Sequence, residues 1–168
     1  YFGDSYKGIP IEYVVEEQPL GTGGGLLKVL NESEINEQFL IINGDTFFAV
    51  DLKALEKFHN QNKSNWTLAL FSSRDTERYM QFNVSPTNQI TGIMKSGNCK
   101  SFYSNGGIYL VEDKSIIIQN FPNKNNFSLE ADIISKLVDN GSLYGFFVDE
   151  TFLDIGIPSD YKSAGSIL

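Results

Sequence analysis

The sequence predicts an α/β domain with a mixed, mostly parallel sheet flanked by helices, and three observations carry that expectation. Strand-type runs alternate with helix-type spacing from Ile11 to Phe71, the signature of βαβ units. Within Phe39–Phe48, the run Phe39-Leu-Ile-Ile is apolar without polar alternation, as a central strand buried on both faces is, and the Asn43-Gly44 that stops it delivers Asp45 to the strand's carboxyl end. The chain of 168 residues is 41% hydrophobic and 20% charged, with 15 Gly and 5 Pro, which suits one globular domain with a sizeable core.

Charge and cysteine content narrow the function classes. A formal net charge of -8 opposes general binding to nucleic acid or anionic membranes, since both need a cationic surface. Phosphate ligands then require local features such as a helix N-terminus or a metal. The single cysteine, Cys99, excludes an internal disulfide framework and fits a reducing cytoplasm. There is neither an apolar run approaching the ~20 residues of a membrane span nor a signal-peptide pattern. The Asn-x-Ser/Thr triplets at Asn31, Asn62, Asn65, Asn83, Asn126 and Asn140 read as chance in an Asn-rich chain.

In chain order, Ile11–Val15 is β-branched and aromatic, which predicts a strand. It feeds Glu17-Gln-Pro19-Leu20-Gly21-Thr22-Gly23-Gly24-Gly25, after which Leu26, Leu27 and Leu30 fall at helical spacing. A strand, a Gly-rich turn and a helix start together present backbone N–H groups to a ligand. The glycines match neither G-x-G-x-x-G nor a Walker loop, so a flexible turn is the competing reading. After Asp45, Asp51 is placed to cap a helix that buries Leu52, Leu55 and Phe58. His59 lies beside that face and is given no role. Trp66–Phe71 reads as another buried strand.

The pattern then changes. Gln81–Val84 and Gln89–Met94 are short strands joined by a hairpin-type turn at Ser85-Pro-Thr-Asn88. Ser101–Leu110 is a strand interrupted by Asn105-Gly106-Gly107, which marks either a bulge or a close approach to the backbone. Ser128 is placed to cap a helix with Leu129, Ile133, Ile134, Leu137 and Val138 on one face. Glu130 and Asp132 then sit in its first turn, where acids ordinarily only complement the helix dipole. Leu143–Val148 is a strand, Phe152-Leu-Asp154-Ile-Gly156 brings a second acid to a strand end, and Pro158 opens a last helix through Tyr161. Asp45 at its strand end is a candidate for holding a metal ion against nucleotide phosphates, because that edge of an open sheet is where ligands bind.

Four segments in this order carry a resemblance that spans nearly the whole chain. They are Glu17-x-Pro19-Leu-Gly-Thr-Gly-Gly24, Ile42-Asn43-Gly44-Asp45, Asn105-Gly-Gly-Ile-Tyr109 and Phe152-Leu-Asp154-Ile-Gly156-x-Pro158-x-Asp160-Tyr161. The chain resembles the sugar-phosphate nucleotidyltransferases, or NDP-sugar pyrophosphorylases. Within them it is most like bacterial D-glycero-D-manno-heptose-1-phosphate and mannose-1-phosphate guanylyltransferases. The resemblance implies a Rossmann-like fold of nucleotide-diphospho-sugar transferase type, in one domain over residues 1–168 that lacks its first βα elements. It implies a reaction joining GTP to a sugar 1-phosphate with release of pyrophosphate, in the cytoplasm, by an enzyme that can be a homo-oligomer. Asp45 and Asp154 would be the catalytic, Mg²⁺-binding pair. Glu17, Pro19, Leu20, Gly21, Thr22, Gly23, Gly24, Asn43 and Gly44 would touch the nucleotide. Asn105, Gly106 and Glu130, with Lys95 for the phosphate, would touch the sugar phosphate.

Three departures shape the expectation. The family's G-x-G-T-R segment, which grips the triphosphate, is not in this sequence, so the 168-residue chain is expected to be catalytically impaired. Met80 follows Tyr79 where glycine is usual, and is expected to reshape the sugar pocket. Met94-Lys95-Ser-Gly97 stands for the family's Glu-Lys-Pro, and a solvated turn lysine competes with phosphate binding at Lys95. The rival functions are a non-catalytic sugar-nucleotide-binding subunit, a glycosyltransferase, which would ordinarily show Asp-x-Asp where Asp45 is followed by Thr46-Phe47, and a structural domain without ligand.

Overall fold

The computed structural model describes residues 2–35, 37–73, 78–94, 103–119, 121 and 125–168. Its central strand pair is β5 (Trp66–Ser72) with β8 (Tyr103–Val111), which run antiparallel. Alternation of side chains along each strand divides the core. Trp66, Leu68 and Leu70 join Tyr109 and Val111 in one cluster with Leu30, Ile133, Ile134 and Leu137. Ala69 and Phe71 join Ile108 and Leu110 in another with Phe48, Leu55 and Val148. Both faces are therefore covered, and β5 is buried from Trp66 to Phe71 as its unbroken apolar run predicts.

Around this pair the strand order is β7-β6-β8-β5-β9, with β3 also on β8. Here β3 is Phe39–Ile42, β6 Gln81–Val84, β7 Ile90–Ile93 and β9 Leu143–Phe147. The sheet is mixed and helix-flanked, as expected. Its direction differs from expectation: among the described pairings of this sheet, β5 with β9 is parallel and the ladders to β3, β6, β7 and β8 are antiparallel. Buried apolar runs report burial on both faces and carry no information on strand direction.

β8 uses one edge for β5 and shares its other edge between two strands. Ile108–Val111 pairs with β3, and Tyr103–Ser104 pairs with β6. Asn105–Gly107 lies between, where the Asn43 N–H donates to the Gly107 carbonyl at 2.8 Å and the Asn105 N–H to the Met80 carbonyl at 3.0 Å. Opposite it, β5 slips register between Leu68 and Leu70, so the bulge read from the glycines is present.

Several segments depart from their predicted form. β3 stops at Ile42, before Asn43-Gly44, as expected, but it is not a central strand buried on both faces: it runs antiparallel to β8, Ile42 is 54% exposed, and β4 (Thr46–Phe48) starts a second ladder. Among the described residues β3 has β8 on one side and no strand on the other. Ile11–Val15 forms no strand; its residues have strand-type side chains but no partner ladder, and Tyr13 and Val15 are exposed. The short strands preceding it, β1 (Ser5–Tyr6) and β2 (Ile9–Pro10), form a separate hairpin. No described helix is long and apolar enough to cross a membrane.

α2 (Leu52–Asn62) begins as predicted, with Asp51 Oδ1 accepting the Lys53 and Ala54 N–H groups at 2.9 and 3.1 Å. Leu55 is buried while Leu52 is exposed. His59 takes the inward position instead and is buried: Nδ1 lies 2.9 Å from Thr67 Oγ1 and Nε2 3.2 Å from Glu112 Oε2, which also accepts from Gln38 Nε2 at 2.8 Å. This network ties α2 to β5, to the end of β8 and to the residue before β3. Burial holds the His59 pKa below its ordinary value, with Glu112 opposing. Below about pH 6.5 the unfolded chain therefore binds a proton that the folded one resists, so stability falls as pH drops from that value through the lowered folded-state pKa. The melting temperature is expected to drop from about pH 7 to about pH 5.5, and His59→Gln to flatten that slope. A slope unchanged by the substitution would refute the assignment.

Candidate active site

The site is built where the shared edge of β8 splits. A cleft of about 210 Å³ opens there, lined by Asn43, Asp45 and Thr46 on one wall, Arg78, Tyr79 and Met80 on the other, and Asn105, Gly107, Glu130, Phe152 and Asp154 between. Among these, Asp45, Asp154 and Glu130 are acidic and Arg78 is basic, an imbalance that disfavours a polyanion unless a cation joins it.

β4 pairs antiparallel with β10 (Phe152–Asp154), setting Asp154 opposite Thr46. The Ile155 N–H donates to the Asp45 carbonyl at 3.0 Å, and Gly156 N–H to Asp154 Oδ1 at 3.0 Å. A Cβ placed on Gly156 would lie 3.0 Å from Asp154 Oδ1 and 3.9 Å from Asp45 Oδ2, so the two carboxylates approach one small volume. Thr46 is among the residues lining the same cleft, and its Oγ1 is buried without a hydrogen-bond partner. Two carboxylates and an unpartnered hydroxyl form a hard-oxygen set that suits Mg²⁺ sharing its shell with phosphate oxygens and water. The residues therefore fit the expected ion.

Aromatic rings hold this ladder beneath the cleft. Phe152 stacks on Phe71 with centroids 3.9 Å apart and meets Phe48 and Tyr79 edge-on at 5.5 and 5.6 Å. Burial, then the Asp154 charge, raises the Tyr79 phenol above its usual pKa, which keeps it a neutral hydrogen-bond donor. Met80 lines the cleft, the position at which the sequence predicts a reshaped sugar pocket.

Glu130 comes from the other direction. Ser128 caps the segment as predicted, its Oγ accepting the Ala131 N–H at 3.2 Å, but Leu129–Ile134 is a π-helix that passes into α4 (Ser135–Asp139). Asp132 Oδ2 reaches back to the Ser128 N–H at 2.9 Å, which is helix capping. Glu130 instead lines the cleft, so the first-turn acids divide between a structural and a site position.

The expected nucleotide residues are partly gathered here. α1 (Gly21–Glu32) begins at Gly21, so the glycine run is its first turn and not a loop before it. The Gly23 and Gly24 N–H groups go to the Phe127 carbonyl at 3.0 and 3.4 Å, which takes them from any ligand. A Cβ on Gly23 would enter the Phe127 ring, and one on Gly24 would lie 2.5 Å from the Asn125 carbonyl oxygen, so both serve close packing. Glu17 and Pro19 are exposed, Leu20 is half-buried, and Gly21, with φ +74°, starts the helix. Glu16, which nothing in the motif distinguishes from Glu17, accepts the Leu20 N–H at 3.0 Å. Asn43 lines the cleft, and Gly44 forms the open turn beside Asp45. Gly106 is turned from the cleft against Phe48, whereas Gly107, at φ +73° and close to the Asn43 amide, lines it. Lys95 lies outside the described residues. Arg78 and Thr46 are the cleft residues that sequence reasoning passed over; neither belongs to a recognisable motif.

The family model of nucleotidyl transferases matches residues 1–168. The D-glycero-alpha-D-manno-heptose 1-phosphate guanylyltransferase of Aneurinibacillus thermoaerophilus is 37% identical over 164 residues, 98% of this chain and 70% of the relative. The enzyme of the same name from Campylobacter jejuni is 34% identical over 96% of this chain and 69% of its own length. The crystal structure of HddC from Yersinia pseudotuberculosis complexed with GMP-PN superposes with a TM-score of 0.74 at 28% identity, covering 95% of this chain and 68% of that one. With the whole chain matched and three of the four predicted motifs lining the cleft, the protein belongs to the nucleotidyl transferase family.

Proposed function

We propose that the protein joins GTP to a sugar 1-phosphate of heptose or mannose type, releasing pyrophosphate and forming a GDP-sugar, with Mg²⁺ at Asp45 and Asp154. The observation that carries this reading is the convergence of those two carboxylates at one end of a cleft whose other walls bring Asn105, Glu130 and Tyr79. An oxygen of the sugar phosphate bonds to the α-phosphorus while the bond to pyrophosphate breaks. That oxygen is already anionic near neutral pH, so the step needs no protein base.

Bound Mg²⁺ supplies charge neutralisation and alignment of the phosphates. The chain's own residues do the positioning, which is worth ~7–11 kcal/mol in well-aligned reactions. Asn105 is fixed for this by the Met80 carbonyl and the Gly107 N–H and offers the remainder of its amide to the sugar. Tyr79 donates from its neutral phenol, and Arg78 on the same wall complements the phosphate. Glu17, Pro19, Leu20, Gly21 and the Thr22 backbone border the base and ribose, with Asn43 and Gly44 on the phosphate side, while Gly23 and Gly24 support that border through packing. Lys95 is assigned to the sugar phosphate.

Pyrophosphate release from the complete protein, measured with five nucleoside triphosphates against several sugar 1-phosphates, tests the reading. GTP with heptose or mannose 1-phosphate is expected to exceed other pairs by about tenfold or more, the range that a hydrogen-bonded site imposes. Release from another triphosphate alone, or from none, would overturn it.

A further inference from the structure

Thr22 stands within the motif expected to touch nucleotide, yet its side chain faces the other substrate. Its Oγ1 donates to Glu130 Oε2 at 3.0 Å and accepts the Leu129 N–H at 2.8 Å. Ser128 Oγ donates to the same Oε2 at 2.9 Å. The Thr22 hydroxyl proton is thereby committed, and both lone pairs of Oε2 are occupied by hydroxyl donors. What acceptor capacity Glu130 keeps for a ligand resides on Oε1, beside the bond it makes to the Tyr109 hydroxyl.

The chain of bonds continues across the cleft. Asn105 Nδ2 donates to the Tyr109 hydroxyl at 2.7 Å, and Asn105 Oδ1 accepts the Gly107 N–H at 3.2 Å. Tyr109 is fully buried, its hydroxyl also hydrogen-bonds to Glu130, and burial and then the Glu130 charge raise the phenol's pKa. Hydrogen bonds thus link the first turn of α1, the π-helix and the β8 bulge into one frame around Glu130. A carboxylate torsion is intrinsically broad, and pinning it in advance removes that freedom before a ligand arrives.

We propose that Thr22 is a positioning residue: its hydroxyl clamps the Glu130 carboxylate so that the remaining oxygen accepts one hydroxyl of the sugar 1-phosphate, coupling the nucleotide-side helix to the sugar pocket. This rests on the reading of Glu130 as a sugar contact given above. A site built around one such acceptor recognises a sugar by the presence of that hydroxyl, and rejects the corresponding deoxy sugar.

Steady-state kinetics of the complete protein with GTP, Mg²⁺ and the preferred sugar 1-phosphate test the proposal. Thr22→Val keeps the side-chain volume and removes the hydroxyl. It is expected to raise the KM for the sugar 1-phosphate about tenfold, as loss of a hydrogen bond to a charged group does. The KM for GTP should stay within about twofold, the pattern of a loss confined to one substrate. Thr22→Ser should restore the wild-type value, and Thr22→Val should add nothing further in a Glu130→Gln background. A rise in the GTP KM alone would make the side chain a nucleotide ligand and overturn the proposal. Equal effects on both substrates that Ser does not rescue, additivity with Glu130→Gln, or no effect would do the same. A complete wild-type protein inactive with every substrate pair would sink the parent reading and this one with it; an active wild type with an unaltered Thr22→Val variant sinks this one alone.

Discussion

Asp45→Asn is expected to lower turnover by about 10²- to 10³-fold, the cost of removing a preorganised charge from a site where charge develops. The substitution is close to isosteric and Asp45 is exposed. The structural part that this residue plays is its backbone carbonyl, bonded to the Ile155 N–H at 3.0 Å, which Asn retains. The melting temperature should therefore be unaltered, separating the catalytic effect from folding. The loss should appear at every GTP concentration and be partly offset by excess Mg²⁺, since a weakened ion site is filled by mass action. Pyrophosphate release within a factor of a few of wild type would remove Asp45 from the metal role.

Gly106→Ala carries the largest expected effect on stability. Its added Cβ would lie 2.5 Å from two carbons of the Phe48 ring and 2.9 Å from the Ala69 carbonyl oxygen. The ring has no room to retreat, because Phe71 and Phe152 meet it edge-on at centroid distances of 6.1 and 5.5 Å. The carbonyl belongs to the buried strand β5. Overpacking of this kind costs about 3 kcal/mol, which a denaturant midpoint resolves easily. Phe48→Leu should recover part of the loss by vacating the ring, and no more than part, because the carbonyl stays. A loss under about 0.5 kcal/mol, the level of an ordinary surface substitution, would show that the strands part more readily than their packing indicates.

The legible parts of the fold are those where the local signal and the tertiary demand coincide. Trp66–Phe71 is apolar on both faces and is covered on both faces. Asp51 and Ser128 are capping residues in sequence and in space. Asn105-Gly106-Gly107 interrupts a strand, and the register of β5 shifts opposite it. Signals failed where a partner decides the outcome. Ile11–Val15 carries strand-type side chains without a ladder to join, and Leu52 yields the inward face of α2 to His59 because Thr67 and Glu112 offer that imidazole both its bonds. In the site, Asp45, Asp154, Asn105 and Glu130 were placed together through motif resemblance. Gly23 of α1 makes room for the Phe127 ring, a demand hidden from the local sequence because Phe127 lies over 100 positions away (127 − 23 = 104). Thr46 and Arg78 have no sequence signal beyond adjacency to Asp45 and Tyr79.

Among the described residues the two walls of the cleft hang from one edge of β8 without pairing to each other: β3 leads into Asn43 and Asp45, and β6 follows Tyr79 and Met80. Such a division allows separate histories for the two halves of the reaction. On the proposed reading, substitutions at Met80 reshape the sugar pocket without touching the Asp45–Asp154 end across the gap, so lineages sharing this architecture can diversify their products without rebuilding that end.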